Sequence, residues 1–561
     1  MESIHPWLGY ANVVPPGFSV EELLGLVRGW NRKEALRGLS VIAFELSKSA
    51  ERSARVEAEA WRLLTEVPTG APRQQRELAV ALAQLPHRSR IVHEQGVLTL
   101  QQLVLSESAD DGPIFPGGQL ALALLAINDH LSAPARPGPA SGLADLTALL
   151  AFYHQFNVAF EVDMNFIVRV WQLFTQAPNE SVLSAEAWKA IQFRALGCLA
   201  GDYLEAFAFP LIILSQEWGK ERAAVLDTRE WPDGPFVALA PKWFKDASLP
   251  LDEWRTSLRC EASSGSAVVP RLTQAYLRTP MVADGSDVLV LSRSALRTHV
   301  LAGLWGRLNT AAKKEEPQGD GNSFRTAFGD WFERWAQQVA AAAKQDGLFG
   351  DHLIDTATDR ELPDLVFRRG RLVVFVEVKT MVVPEDKLKT ADTLVGLRSW
   401  LDERLFAPRR SREKGGAIPQ LDAAVRRLRA GDWRRYGLHP DARVIPVLLT
   451  LDKLPGATAL PGWLDQESSE RGLLQDGDVL PVVSLGPFDF ETLLSYARTN
   501  GGVANLLARK VQSLRHRGRA FDQFILDKSV VRAPRDRRLP SYVREFETIT
   551  GIAQEDEPPT V

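Results

Sequence analysis

Cysteine is nearly absent: two residues, Cys198 and Cys260, in a chain of 561. That excludes a disulfide scaffold, and no Cys/His spacing suited to zinc accompanies them, so they read as small core residues. The nine histidines are scattered, with no HExxH and no H-x-E…PCxxC pattern, which leaves zinc hydrolysis and zinc deamination without support. GxxxxGK[ST] is missing too, which removes an ATP-driven motor. An excess of either charge is lacking, since 66 basic and 70 acidic residues leave a net charge of −4.

Long apolar runs are also lacking. The best stretch, Phe193 to Leu214, carries Arg194, Asp202 and Glu205, which suits a buried core helix better than one facing lipid. Residues Met1 to Gly17 show no basic cluster followed by an apolar core, so the expected location is the cytoplasm, with no membrane partner. What is present is a globular composition, 45% hydrophobic with fifteen tryptophans, enough for two or three domains with real cores.

Helical periodicity dominates from Ser19 to Ile212, in runs such as Glu21 to Arg32, Arg52 to Leu64 and Arg76 to Leu85. Pro and Gly clusters at Pro113 to Gly118 and Pro134 to Gly142 read as loops. A mixed stretch follows, with the apolar run Asp287 to Leu291, and the polar segment Lys313 to Asn322 is the best linker. Beyond it strands alternate with helices, the mark of an α/β domain. The expected division is an α-rich sensor or partner region over 1–312, a core over 313–451, an α/β extension over 452–550 and a Glu/Pro-rich tail over 551–561, taken as disordered.

Chemistry concentrates between Asn322 and Lys379. Asn322 or Ser323 caps a helix whose apolar stripe is Phe324, Phe328, Phe332, Trp335 and Val339, with Glu333 at the stripe's edge. Leu348 to Asp355 and Asp364 to Phe367 are expected strands, Arg368 to Arg371 a turn, and Leu372 to Lys379 a third strand too apolar for a solvent-facing edge. Glu377 and Lys379, at i and i+2, share a face, and antiparallel pairing through the short turn brings Asp364 near Glu377. Burying two carboxylates with one lysine costs several kcal/mol unless something compensates, and a divalent cation does so well. Aligned acidic oxygens favour Mg²⁺ or Mn²⁺, which polarises a phosphate oxygen and acidifies bound water, while Lys379 orients the attacking water or helps deprotonate it.

These words, Gly329-Asp330-Trp331-Phe332-Glu333, Pro363-Asp364 and Glu377-Val378-Lys379, resemble the PD-(D/E)xK nuclease superfamily with its restriction-endonuclease-like fold. The resemblance continues through Gln420-Leu421-Asp422-Ala423-Ala424-Val425 and the strand Val444 to Leu451, about a quarter of the chain in the order helix, three strands, helix, strand. It implies metal binding by Asp364, Glu377 and the carbonyl of Val378, Glu333 as an auxiliary acid, and Gln420 as a supporting residue. The tyrosine that accompanies such a glutamine does not follow within the helix. It further implies a Mg²⁺-dependent endonuclease acting on DNA ahead of RNA, of the kind found among bacterial restriction and phage-defence effectors. The other function class is a non-catalytic nucleic-acid-binding or adaptor protein on the same fold.

Two basic runs, Arg404 to Arg435 and Arg509 to Arg538, either neutralise phosphates or are solvated helix faces. Arg409, Arg410, Arg412 and Lys414, just before the Gln420 helix, are the preferred phosphate contacts. Two-strand cutting makes a homo-oligomer one expectation, though the sequence shows no dimer seam.

Overall fold

The computed structural model describes residues 10–532 apart from 16, 48–49, 68–72, 86–90, 114–116, 133–163, 176–181, 216–217, 219–223, 232–233, 257–278, 316–321, 357–358, 360, 383–398, 408–414, 452–458, 518–520, 526 and 528. It is helix-rich with two small mixed sheets, and the chain divides into two compact units. One takes the described residues up to 132 and those from Gln192 to Leu308; the other takes those between 164 and 191 and from Asn309 onward. The Pro134 to Gly142 segment and the 551–561 tail lie outside the described residues.

In the first unit, the expected helix Glu21 to Arg32 is in fact two. Val20–Arg28 stops at Gly29, and Asn31 starts Arg32–Leu46 by accepting the Glu34 N–H at 3.1 Å, an N-cap that turns the chain. Arg32–Leu46 packs on Glu94–Glu107, and further helices span Ala50–Thr65, Arg73–Ala83 and Gly117–Ser132. The Asp287 run is a strand: Asp287–Val290 forms a hairpin with Met281–Asp284 about Gly285, inside a four-stranded sheet flanked by Val225–Asp227 and Ser248–Pro250. The segment Ala185–Leu214 is long and apolar enough to cross a membrane by length and composition, yet 56% of its most apolar window is buried. Tyr203 and Phe207 pack there against Trp243, and Phe207 also meets Trp231 and Phe244, as a core helix would.

The second unit holds a five-stranded sheet. Its site-bearing elements, in chain order, are α1 (Asn322–Gln345), β1 (His352–Ile354), β2 (Leu365–Arg369), β3 (Leu372–Lys379), α2 (Ala417–Ala430), β4 (Arg443–Thr450), β5 (Val483–Leu485), α3 (Pro487–Ala497) and α4 (Val503–Gln512). The strands lie in the order β1-β2-β3-β4-β5, antiparallel from β1 to β3 and parallel from β3 to β5. The first strand is shorter than expected because the turn that ends α1 carries on through Leu348, whose N–H donates to the Ala343 carbonyl at 2.9 Å. The turn is tighter than expected, only Gly370 and Arg371, with Gly370 at φ +60° and both Arg368 and Arg369 in the ladder.

β3 is buried along its length apart from its two end residues, as its run of Val and Phe demands of a central strand covered on both faces. On one face α2 approaches, with Trp433 edge-on to Phe375. The other helical layer is α1, α3 and α4, where Trp335 of α1 meets Phe490 of α3 and α4 crosses β2, β3 and β4. The predicted stripe on α1 is buried, and so is Trp331, because Phe324, Phe328 and Trp331 face Phe174 and Trp188 while Trp335 faces α3. α4 begins on a buried carboxylate: Asp351 accepts the N–H groups of Val503 and Ala504 at 2.8 and 3.2 Å. Gly502, at φ +100°, is required there, since a Cβ would lie 2.3 Å from Asp351 Oδ2.

Candidate active site

The site begins where β2 starts. Proline at 363 has no N–H to extend the ladder, so β2 opens at Leu365, paired with Val376. One more step of that register sets Asp364 opposite Glu377. The Asp364 carboxylate continues the ladder by itself, its Oδ2 accepting the Val378 N–H at 2.7 Å. Its backbone carbonyl accepts from Thr356 Oγ1 at 3.0 Å and from Gln337 Nε2 at 3.2 Å. Both ends of Asp364 are thus held before any ligand arrives.

Glu377 is 5% exposed, and the Lys379 ammonium, two residues on and on the same face, donates to its Oε1. Burial alone would lower the affinity of Lys379 for its proton. The carboxylates of Glu377, Asp364 and Glu333 outweigh that and raise it above the ordinary lysine value. Lys379 thus holds its proton more firmly while those carboxylates stand beside it, which suits it to charge compensation there. Thr450, its register partner on β4, is buried beside it.

Glu333 reaches the cluster from α1, where Gln337 Nε2 donates to its Oε1 at 3.4 Å. Gly329, one turn earlier, faces the end of β3: a Cβ there would sit 3.6 Å from Thr380 Oγ1. The structure thus gathers Glu333, Asp364, Glu377 and Lys379, with Val378 between the last two. Gln420 is not brought to them by any hydrogen bond among the described residues. Its Nε2 folds back on the carbonyls of Gly415 and Gly416 at the start of α2, a local helix-end contact.

Arg409, Arg410, Arg412 and Lys414 lie outside the described residues. Several arginines in the described part of the same basic run form ion pairs. Arg426 pairs with Asp422, Arg429 with Asp476, and Arg427 and Arg435 with Glu361 and Asp359 in the loop leading to Asp364. The second run likewise turns inward or pairs: Lys510 is buried with its Nζ 3.4 Å from the His516 carbonyl, Arg509 binds Asn500 and the Val530 carbonyl, and Arg515 and Arg517 pair with Asp527 and Asp465. Gln337 and Thr356 escaped sequence reasoning. Gln337 had a signal, its position one turn after Glu333; Thr356 had none.

Among the described residues no group of three or more His, Cys, Asp or Glu side chains is close enough to hold a metal ion. The donors present, two opposed carboxylates and backbone carbonyl oxygen, are all hard oxygens. They fit Mg²⁺ or Mn²⁺, which take one or two protein carboxylates and keep several waters, and do not fit zinc. Comparison of the chain with family models, curated proteins and solved structures gave no match.

Proposed function

We propose that this protein is a divalent-metal-dependent nuclease of the PD-(D/E)xK type, with its second unit built on a restriction-endonuclease-like fold and DNA ahead of RNA as substrate. The observation that carries the reading is the juxtaposition of Asp364 with Glu377 across β2 and β3, joined by Lys379 and Glu333. The element order supports it: one helix, three antiparallel strands, a helix and a parallel fourth strand.

In this reading Asp364, Glu377 and the Val378 carbonyl hold Mg²⁺ or Mn²⁺, which when bound would supply charge for the phosphoryl oxygens and a more acidic water. Lys379, on the same face as Glu377, orients the attacking water or helps deprotonate it and offsets negative charge on the phosphorus. Glu333 lies at the rim as an auxiliary acid. The first unit, with no catalytic constellation of its own recognised in the sequence, is proposed as a sensor or partner-binding region.

The test is degradation of plasmid DNA and structured RNA by the full chain. Cutting with Mg²⁺ and none with EDTA is expected, and Asp364→Ala, Glu377→Ala and Lys379→Ala should each abolish it; a variant that still cuts removes that residue from the chemistry. One observation favours a second reading, a non-catalytic nucleic-acid-binding protein: the Glu377 carboxylate already has the Lys379 ammonium as its counter-charge without a metal. Its signature would be salt-sensitive DNA binding indifferent to Glu377→Gln, with no cleavage under any divalent ion.

A further inference from the structure

Gln337 follows Glu333 by one helical turn, so the two side chains share a face of α1. One nitrogen, Nε2, donates both to Glu333 Oε1 at 3.4 Å and to the Asp364 carbonyl at 3.2 Å, which places those two oxygens no more than 6.6 Å apart. The Asp364 peptide is fixed independently, by Thr356 on the same carbonyl and by Val378 on the carboxylate. The acid on the helix is therefore tied to the acid on the strand through one carboxamide.

The chemistry of that link is selective. A carboxamide nitrogen has two hydrogens to give and no charge, so it joins two oxygens without cancelling the negative potential around them. A carboxylate at 337 would repel Glu333, and an ammonium would neutralise it.

We propose that Gln337 is a positioning residue that sets the offset of Glu333 from the Asp364 and Glu377 pair, so that Glu333 can accept a hydrogen bond from water held at that pair. This rests on the nuclease reading above. Partners that orient a site from outside its ligand set typically change metal affinity or activity by roughly 10- to 100-fold when removed. Their effect should also depend on the residue they orient.

The test uses the full chain with Mn²⁺ as probe, its binding followed by electron paramagnetic resonance, and plasmid cleavage read in parallel. Gln337→Leu and the more flexible Gln337→Met should each weaken Mn²⁺ binding by roughly 10-fold and lower kcat with KM for DNA unchanged. In a Glu333→Ala background the same changes should cost nothing further. Penalties of equal size in both backgrounds, or Mn²⁺ binding and cleavage equal to the parent chain in either variant, overturn the proposal and leave the nuclease reading standing. A parent chain that neither binds Mn²⁺ nor cuts overturns both.

Discussion

Removing the charge of Lys379 tests the electrostatics of the site without requiring any assumption about substrate. Lys379→Met keeps the apolar stem and takes away the ammonium that faces Glu377, Asp364 and Glu333. Glu377, almost wholly buried, then stands without that cation among like charges. Breaking one side of a buried pair costs about 3–5 kcal/mol. The Lys379 side chain is 22% exposed, so solvent screens part of the loss and the lower figure, about 3 kcal/mol, is the better expectation. At about 1.6 °C per kcal/mol for a unit of about 300 residues, the melting transition in EDTA should fall by about 5 °C. Scanning calorimetry of the full chain with EDTA and then with Mg²⁺ reads both arms, and the cation should restore part of the loss by taking over the carboxylates. A variant that melts within about 2 °C of the parent in EDTA would refute the reasoning, because the three acids could not then depend on the lysine.

Arg169 and Glu491 form a second buried pair, Nε to Oε1 at 3.1 Å with both side chains almost fully enclosed. Arg169→Met alone should cost about 3–5 kcal/mol in urea denaturation, and Arg169→Met with Glu491→Met should recover most of it; a double variant as weak as the single one would refute the pairing as the cause. In the first unit, burial takes the His93 imidazole down from 6.5 to about 4, partly opposed by its bond to Asn128. Nδ1 accepts the Gly96 N–H while Nε2 meets Asn128 Oδ1, an arrangement that wants the neutral ring with its proton on Nε2. The folded value lies below the unfolded one, so this stability is present above pH 6.5 and is lost as pH falls toward 4, about 3 kcal/mol in all. Denaturation at pH 7 and pH 4.5 should show a smaller loss for His93→Asn, and identical losses would remove His93 from the acid response.

The sequence alone carried the parts of the second unit that short-range geometry controls. The alternation of side chains along Leu372 to Lys379 put Glu377 and Lys379 on one face, and the short turn after β2 left only one register that opposes Asp364 to Glu377. The stripe from Phe324 to Val339 likewise announced α1, since period and burial are properties of neighbouring residues. Tertiary structure decided the rest. The second buried face of α1 depends on Phe174 and Trp188, about 140 residues or more before it in the chain. Arg427 and Arg435, in a run the sequence left open between phosphate contact and a solvated face, pair with Glu361 and Asp359 in the loop before Asp364, and Gln420 turned to its own helix end. A long polar side chain takes whichever partner the fold carries within its reach, and for Gln337 that partner is a carbonyl 27 residues along the chain.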